Sequence, residues 1–121
     1  MADTSSLRIR RRAVTTGVVV VSIVGEVDLA TVGMLRDGLS PHLSDPVTRL
    51  VVCDLSQVRF LACSGLSALL DIQAELGARG ARLSVVANSP AVLRPVKITG
   101  LEEVLAVRPT VSSALRQSIV E

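Results

Sequence analysis

Two β-rich segments open the hydrophobic pattern of the chain. The runs "LRIRRRAV" (residues 7–14) and "VVVVSIVG" (residues 18–25) are rich in residues that favour strands, and "TTG" lies between them. Two such runs joined by a short Gly-containing segment predict a β-hairpin.

The period then changes to that of a helix. Apolar residues recur at spacings of three and four, which is typical of one helix face, at Leu29, Val32, Leu35, Leu39 and Leu43. Asp28 precedes this face, and its carboxylate can accept hydrogen bonds from the first free amides, as an N-cap does. Pro41 and Pro46 predict that the helix ends in the segment "SPHLSDP".

The second half alternates strand and helix patterns. "RLVVCDL" (residues 49–55) is a short apolar run typical of a buried strand. A helix follows, with Leu66, Leu69, Leu70 and Leu76 on its apolar side and Ser67, Asp71, Glu75 and Arg79 on the opposite side.

The next strand is predicted over residues 83–87. A third helix begins with Ser89 as its cap and Pro90 at its first position, and Pro95 should shorten it. "EVLAV" (residues 103–107) predicts a brief fifth strand, and a last helix follows Thr110, its predicted cap.

The order ββαβαβαβα predicts an α/β fold in one domain, residues 1–121, with a mixed central sheet of four to five strands and about four helices. Sites in such sheets collect at the carboxyl ends of parallel strands. Two segments lie at these ends, "GEVDLAT" and "DLSQVRFLACSGL". Because they follow neighbouring strands, we expect them to lie side by side.

Composition narrows the function. Only 1% of the 121 residues are aromatic, all of it Phe60, so stacking of bases or flat cofactors has almost no support. The net charge is +2, and the run "RIRRR" (residues 8–12) fits a solvated edge strand, or else a contact with nucleic acid or acidic lipid. The longest apolar run is too short to span a bilayer, and no signal peptide is visible, so a cytoplasmic protein is expected.

Enzyme chemistry finds little support. His42 is the only histidine, and its place between prolines predicts a surface loop. A Ser–His hydrolase would need His42 beside Ser64, and this placement gives no reason to expect that. The chain contains neither a G-x-S-x-G elbow nor a phosphate-binding loop. Cys53 and Cys63 are too few for a zinc site. We therefore expect no catalytic residue, no metal and no cofactor.

Ser64, in "FLACSGLSALL" (residues 60–70), leaves two interpretations open. It can be the N-cap of the helix that follows, or a phosphoacceptor, since a helix N-terminus stabilises a phosphate. Gly65 would then leave room for a kinase. Cys63 is either a small side chain or an oxidation-sensitive thiol, whereas Cys53 lies mid-strand and is expected to be buried and inert.

The paired motifs resemble those of the STAS-domain anti-sigma factor antagonists. "GEVDLAT" and "VVCDLSQVRFLACSGLSALL" are similar to the family pattern G-E-hydrophobic-D-x-x-T, followed by D-hydrophobic-S-x-hydrophobic-x-F-hydrophobic-D-S-S-G-L. The resemblance implies the STAS fold and a protein that binds an anti-sigma factor, usually a GHKL-type serine kinase, and thereby frees a sigma factor. It also implies that the kinase inactivates the antagonist by phosphorylation and that a phosphatase restores it.

Carried over residue by residue, the resemblance makes Ser64 the phosphoacceptor. It implies a partner-binding surface at Glu26, Asp28, Ala62, Cys63, Gly65, Leu66 and Ser67, without direct nucleic-acid or membrane contact, in a monomer or weak dimer. Ala62 and Cys63 depart from the family, which has Asp and Ser there. The missing carboxylate is expected to weaken kinase recognition or alter partner choice.

The alternative function is a STAS subunit of a lipid-transport, transporter or stress-sensing complex. A nucleotide-binding role is disfavoured by the missing phosphate loop.

Overall fold

An antiparallel hairpin opens the fold. The computed structural model describes residues 7–120, of which residues 117–120 are described by their backbone only. The prediction that no signal peptide is present rests partly on residues 1–6, which lie outside this range. Strand β1 spans Arg8–Thr15 and pairs with β2, Val18–Val27. Gly17 in the connecting turn has φ +82°, a conformation that glycine adopts without strain. The predicted hairpin is confirmed.

Two further strands extend the sheet beyond β2. Strand β3 spans Leu50–Leu61 and β4 spans Arg82–Val86, and the order is β1-β2-β3-β4. β2, β3 and β4 are parallel, so only the β1–β2 pair is antiparallel. Strand β1 lies at one end of this sheet with its four arginines exposed, as expected of a charged edge strand.

Four helices cover the sheet: α1 (Val32–Leu43), α2 (Cys63–Gly77), α3 (Pro90–Thr99) and α4 (Val111–Val120). Alternate residues of each strand face opposite sides. Val19, Val21 and Ile23 join the larger apolar cluster with α1, α2 and α3, whereas Val20 joins a smaller cluster with α4. The predicted α/β fold with a mixed sheet is confirmed, with four strands within the described residues.

The predicted fifth strand is wrong. The segment around "EVLAV" forms turns, in which the amide of Ala106 donates to Glu103 and that of Val107 to Glu102. Ala106 also has φ +46°, which is incompatible with an extended strand. Only an isolated bridge, Val86 to Arg108, continues the pairing beyond β4. Local backbone hydrogen bonds thus override the strand propensity of the valines.

Two predicted helix caps have different outcomes. Thr110 is confirmed, because its Oγ1 accepts the amide of Ser113 at 3.0 Å. Ser89 occupies the N-cap position of α3 but makes no side-chain capping bond. Pro90 lies at the start of α3 as predicted, and Pro95 is accommodated inside this ten-residue helix.

The prediction that His42 lies in a surface loop is wrong. The residue lies in the last turn of α1, one residue after Pro41, with only 5% of its surface exposed. The helix continues through Pro41, so that His42 falls on the same buried face as Leu35 and Leu39.

Candidate functional site

The two motif segments meet at the carboxyl ends of β2 and β3. The parallel register places Val27 beside Leu61. The amide of Ala62 then donates to the carbonyl of Val27 at 2.8 Å, which ties the start of α2 to the end of β2. The prediction that these segments lie side by side is confirmed.

Asp28 organises the turn after β2. Its Oδ1 accepts the amides of Ala30 at 3.0 Å and Thr31 at 3.1 Å. Thr31 Oγ1 accepts the amide of Asp28 at 3.0 Å and donates to the carbonyl of Glu26 at 2.7 Å. Asp28 and Thr31 therefore cap each other's backbone, and the turn is held from both ends.

The predicted role of Asp28 as the helix N-cap needs correction. Helix α1 begins at Val32, and its N-cap residue is Thr31. Asp28 caps the preceding turn instead, because its carboxylate is taken by amides of that turn. Leu29 consequently leaves the predicted helix face and is 82% exposed at the tip of the turn.

Ser64 is not an N-cap. The N-cap residue of α2 is Ala62, which makes no side-chain capping bond, and Cys63 and Ser64 are the first two helical residues. Ser64 Oγ is buried and has no hydrogen-bond partner among the described residues. The interpretation of Ser64 as a structural cap is therefore wrong, and its hydroxyl contributes no hydrogen bond to the described fold.

The first turn of α2 leaves donors free. The amides of Gly65 and Leu66 bond to the carbonyl of Ala62 at 2.9 and 3.2 Å. The amides of Cys63 and Ser64 lie too early in the helix for an intrahelical acceptor. Ala62 has no side-chain oxygen and makes no capping bond, so among the described residues no N-cap side chain occupies this end, and its partial positive charge stays available to an anion.

Gly65 and Leu66 face the interior. Gly65 is buried, and a Cβ atom there would lie 2.6 Å from Leu61 Cδ1 and 2.7 Å from Val27 Cγ1. Leu66 is 4% exposed and belongs to the main core. The expectation that Gly65 lies on an exposed patch and leaves room for a kinase is wrong, because its missing Cβ makes room for the two strands.

The remaining predicted residues surround this turn. Glu26, Cys63 and Ser67 are exposed, and Asp28 and Ala62 are half-buried. Further along α2, Asp71 pairs with Arg36 of α1 at 3.0 Å, an exposed ion pair that contributes little to stability. The two cysteines differ: burial raises the pKa of the Cys53 thiol to about 12, and Asp54 adds to the effect, whereas Cys63 is exposed.

Hydrolytic chemistry gains no support from the geometry. Helix α1 starts beside the carboxyl ends of the strands and runs for 12 residues, so His42 lies at its far end, on the order of 15 Å along the helix axis. Within residues 7–120, no cluster of three His, Cys, Asp or Glu side chains is placed to hold a metal ion. The described helices also include none that is long and apolar enough to cross a membrane.

The comparisons with known proteins agree with this geometry. A sequence model of the STAS domain matches residues 11–114. Over 99 residues the chain is 35% identical to the anti-sigma-F factor antagonist RsfB of Mycobacterium tuberculosis, covering 82% of this chain and 80% of that protein. The chain belongs to the STAS-domain family of anti-sigma factor antagonists. Members of this family are regulators and not enzymes.

Solved structures agree with the antagonist fold. A crystal structure of an anti-sigma factor antagonist from Mycobacterium paratuberculosis has a TM-score of 0.83 at 33% identity and covers 97% of both chains. The antagonist SpoIIAA in its unphosphorylated form has a TM-score of 0.77 at 21% identity, over 94% of this chain and 98% of that chain. The second likeness confirms the STAS fold alone.

Two residues of this site, Thr31 and Leu29, were not predicted from the sequence. Thr31 is bonded both to Asp28 and to Glu26, and its position three residues after Asp28 in "DLAT" was the available signal. Leu29 was assigned to the helix core because its spacing fits the helical period. Only the mutual capping of Asp28 and Thr31, which delays the helix to Val32, reveals it as an exposed apolar side chain.

Proposed function

We propose that this antagonist binds an anti-sigma factor, a GHKL-type serine kinase, and thereby releases a sigma factor in the cytoplasm. The binding surface comprises the turn of residues 26–31 and the first turns of α2. Glu26, Cys63 and Ser67 offer exposed side chains there, and Leu29 adds an apolar one. Gly65 and Leu66 are buried and do not contact the partner directly; they pack beneath this surface and hold it in place.

We further propose that the kinase phosphorylates Ser64 and that a phosphatase reverses the reaction. The observation that carries this proposal is the unused Ser64 hydroxyl in the first turn of a helix whose N-terminus has no side-chain cap. A phosphate there would meet free amides and the positive end of the helix. Ser64 as a whole is half-buried but its hydroxyl is buried, so phosphorylation requires the side chain to rotate toward solvent.

Phosphorylation would end binding by electrostatic exclusion. It adds about −1.5 to −2 charges at neutral pH, and helix α2 contains no Lys or Arg to pair with them. If the phosphate is desolvated against the partner without a cation, the cost is several kcal/mol, and about 1.4 kcal/mol lowers affinity tenfold. The fold itself need not change, because the helix end accommodates the charge.

Co-purification followed by phosphorylation tests the proposal. Tagged antagonist should capture an anti-sigma kinase, and incubation with that kinase and ATP should place one phosphate on Ser64 by peptide mass mapping. Ser67→Ala is the matched control, since Ser67 lies one turn along the same helix and is exposed. Phosphate on Ser56 or Ser67 alone, or capture of a membrane ATPase instead of a kinase, contradicts the proposal.

A further inference from the structure

A cavity lies at the opposite end of the sheet from Ser64, beside the β1–β2 turn. Its volume is about 370 Å³, which is within the range of small-molecule sites. Strand β1 and its turn form one wall, and the end of α1 with the loop that follows forms the other. The polar residues of its lining are Arg11, Thr15, Thr16, His42, Asp45 and Thr48.

His42 is the unusual member of this lining. Only 5% of its surface is exposed, and Nε2 is buried without a hydrogen-bond partner among the described residues. An unpaired buried polar atom is costly, and native structures rarely leave one unexplained. His42 also lines the cavity, so this buried imidazole lies beside a space large enough for a ligand.

The charges around His42 favour an anion. Arg11 projects from β1 on the same side of the sheet as α1, in register with Val21, and has no ion pair within the described part of the chain. Asp45 is the opposing charge, and its Oδ1 already accepts the amide of Val47 at 3.0 Å. Burial lowers the pKa of His42, Arg11 lowers it further, and Asp45 raises it.

Arg79, two residues after the end of α2, offsets the negative charge at the C-terminal end of α1. Its guanidinium donates to the carbonyls of His42 at 2.7 Å and of Leu43 and Thr48 at 2.8 Å. These carbonyls would otherwise repel an anion at the helix C-terminus. The three bonds also fix the loop, so that the cavity wall is formed before any ligand arrives.

We propose that this cavity binds a small oxyanion, a carboxylate or a phosphate or sulfate group, beside the Arg11 guanidinium and the His42 imidazole. The Arg11 guanidinium neutralises the charge of the anion. The anion also stabilises the imidazolium form of His42. By linkage, oxyanion binding and proton binding strengthen each other, so affinity increases as the pH falls.

The single histidine makes the site directly observable. The imidazole of His42 is titrated by NMR in sulfate, in acetate, and in chloride at the same ionic strength; sulfate keeps its charge across the range. We expect one or both oxyanions to raise the pKa of His42 by about one unit relative to chloride, equivalent to tenfold tighter binding to the protonated form. A response to sulfate alone assigns the site to phosphate-like groups, and a response to acetate alone assigns it to carboxylates.

Two variants of neighbouring exposed arginines control the experiment. Arg11→Gln should abolish the anion-dependent rise, whereas Arg12→Gln should retain it, because Arg12 is in register with Val20 and projects from the other face of β1. The proposal is overturned if neither oxyanion raises the pKa above the chloride value. It is equally overturned if the rise survives in Arg11→Gln or is lost to the same extent in both variants.

Discussion

Gly65 lies so close to Val27 that a Cβ atom on Gly65 would be 2.7 Å from Val27 Cγ1. Real Cβ contacts of this kind essentially never occur. The same side of Gly65 also lies against Leu61. The glycine of the "CSGLS" segment therefore sets how deeply the first turn of α2 settles onto the ends of β2 and β3. This contact places Ser64 beside the Asp28 turn.

Gly65→Ala should destabilise the fold by about 1–3 kcal/mol, the usual cost of overpacking a core. The added methyl group must displace branched side chains from both strands. Urea unfolding followed by circular dichroism measures the loss. Gly77→Ala in the same helix is the matched control, because nothing lies within 4 Å of its Cβ position. There alanine should be neutral or stabilise by up to about 1 kcal/mol. Equal effects of the two substitutions would contradict the steric role of Gly65.

Asp28→Ala should cost roughly 1 kcal/mol, because the amides of Ala30 and Thr31 lose their shared acceptor. Asp28→Asn keeps an oxygen at that position and should recover most of the stability. Denaturant midpoints of the three proteins give the comparison. If Asp28→Ala unfolds at the same urea concentration as the unmodified protein, the turn is held by other contacts. Loss of partner binding in a well-folded Asp28→Asn protein would show in addition that the charge itself contacts the partner.

The sequence predicts the sheet, the helices and the meeting of the two motif segments, because alternation and helical periodicity are local signals. Details of the site depend on contacts between distant residues. Ser64 fails as a cap because the Ala62 amide bonds to Val27, which settles where α2 begins. His42 is buried because α1 tolerates Pro41 and extends to Leu43. The hydrophobic pattern of the sequence indicates neither this hydrogen bond nor the continuation of α1 through Pro41.

The stability of the fold should decrease as the pH falls below about 6.5. Burial and Arg11 lower the folded-state pKa of His42, so the imidazole binds a proton more readily in the unfolded chain than in the folded protein. As the pH falls from the unfolded-state pKa toward the lower folded-state pKa, protonation of His42 therefore favours unfolding. Above about pH 6.5 both states are neutral at this residue and the effect vanishes. Urea unfolding at a series of pH values measures the slope. His42→Gln should flatten the slope just below pH 6.5, and an unchanged slope in this variant would assign the effect to other groups.

The two thiols should differ sharply in reactivity. Cys53 is fully buried with its pKa raised to about 12, so almost no thiolate is present near neutral pH, whereas Cys63 is exposed at the start of α2. A chromogenic disulfide reagent should therefore modify Cys63 in the native protein and both cysteines in denaturant. Cys63→Ser should leave no rapidly reacting thiol. Rapid native modification of Cys53 would contradict its burial.

Two substitutions at Ser64 separate the roles of its hydroxyl and of added charge. Ser64→Ala should stay folded within about 1 kcal/mol, because the hydroxyl makes no hydrogen bond to a described residue, and it should bind the partner and resist inactivation. Ser64→Glu should weaken binding in part, since it carries less charge than a phosphate. Circular dichroism and calorimetry measure folding and affinity side by side. A folded Ser64→Glu protein with undiminished affinity would count against electrostatic exclusion.

The affinity of the enzymatically phosphorylated protein for the isolated anti-sigma factor is the decisive measurement of the proposed switch at Ser64. Isothermal titration calorimetry compares it with the unmodified protein, after mass spectrometry has located the phosphate on Ser64. We expect phosphorylation to lower the affinity at least about a hundredfold, equivalent to roughly 2.7 kcal/mol, without a change in the circular dichroism spectrum. Equal affinities of the two forms would contradict the proposed switch.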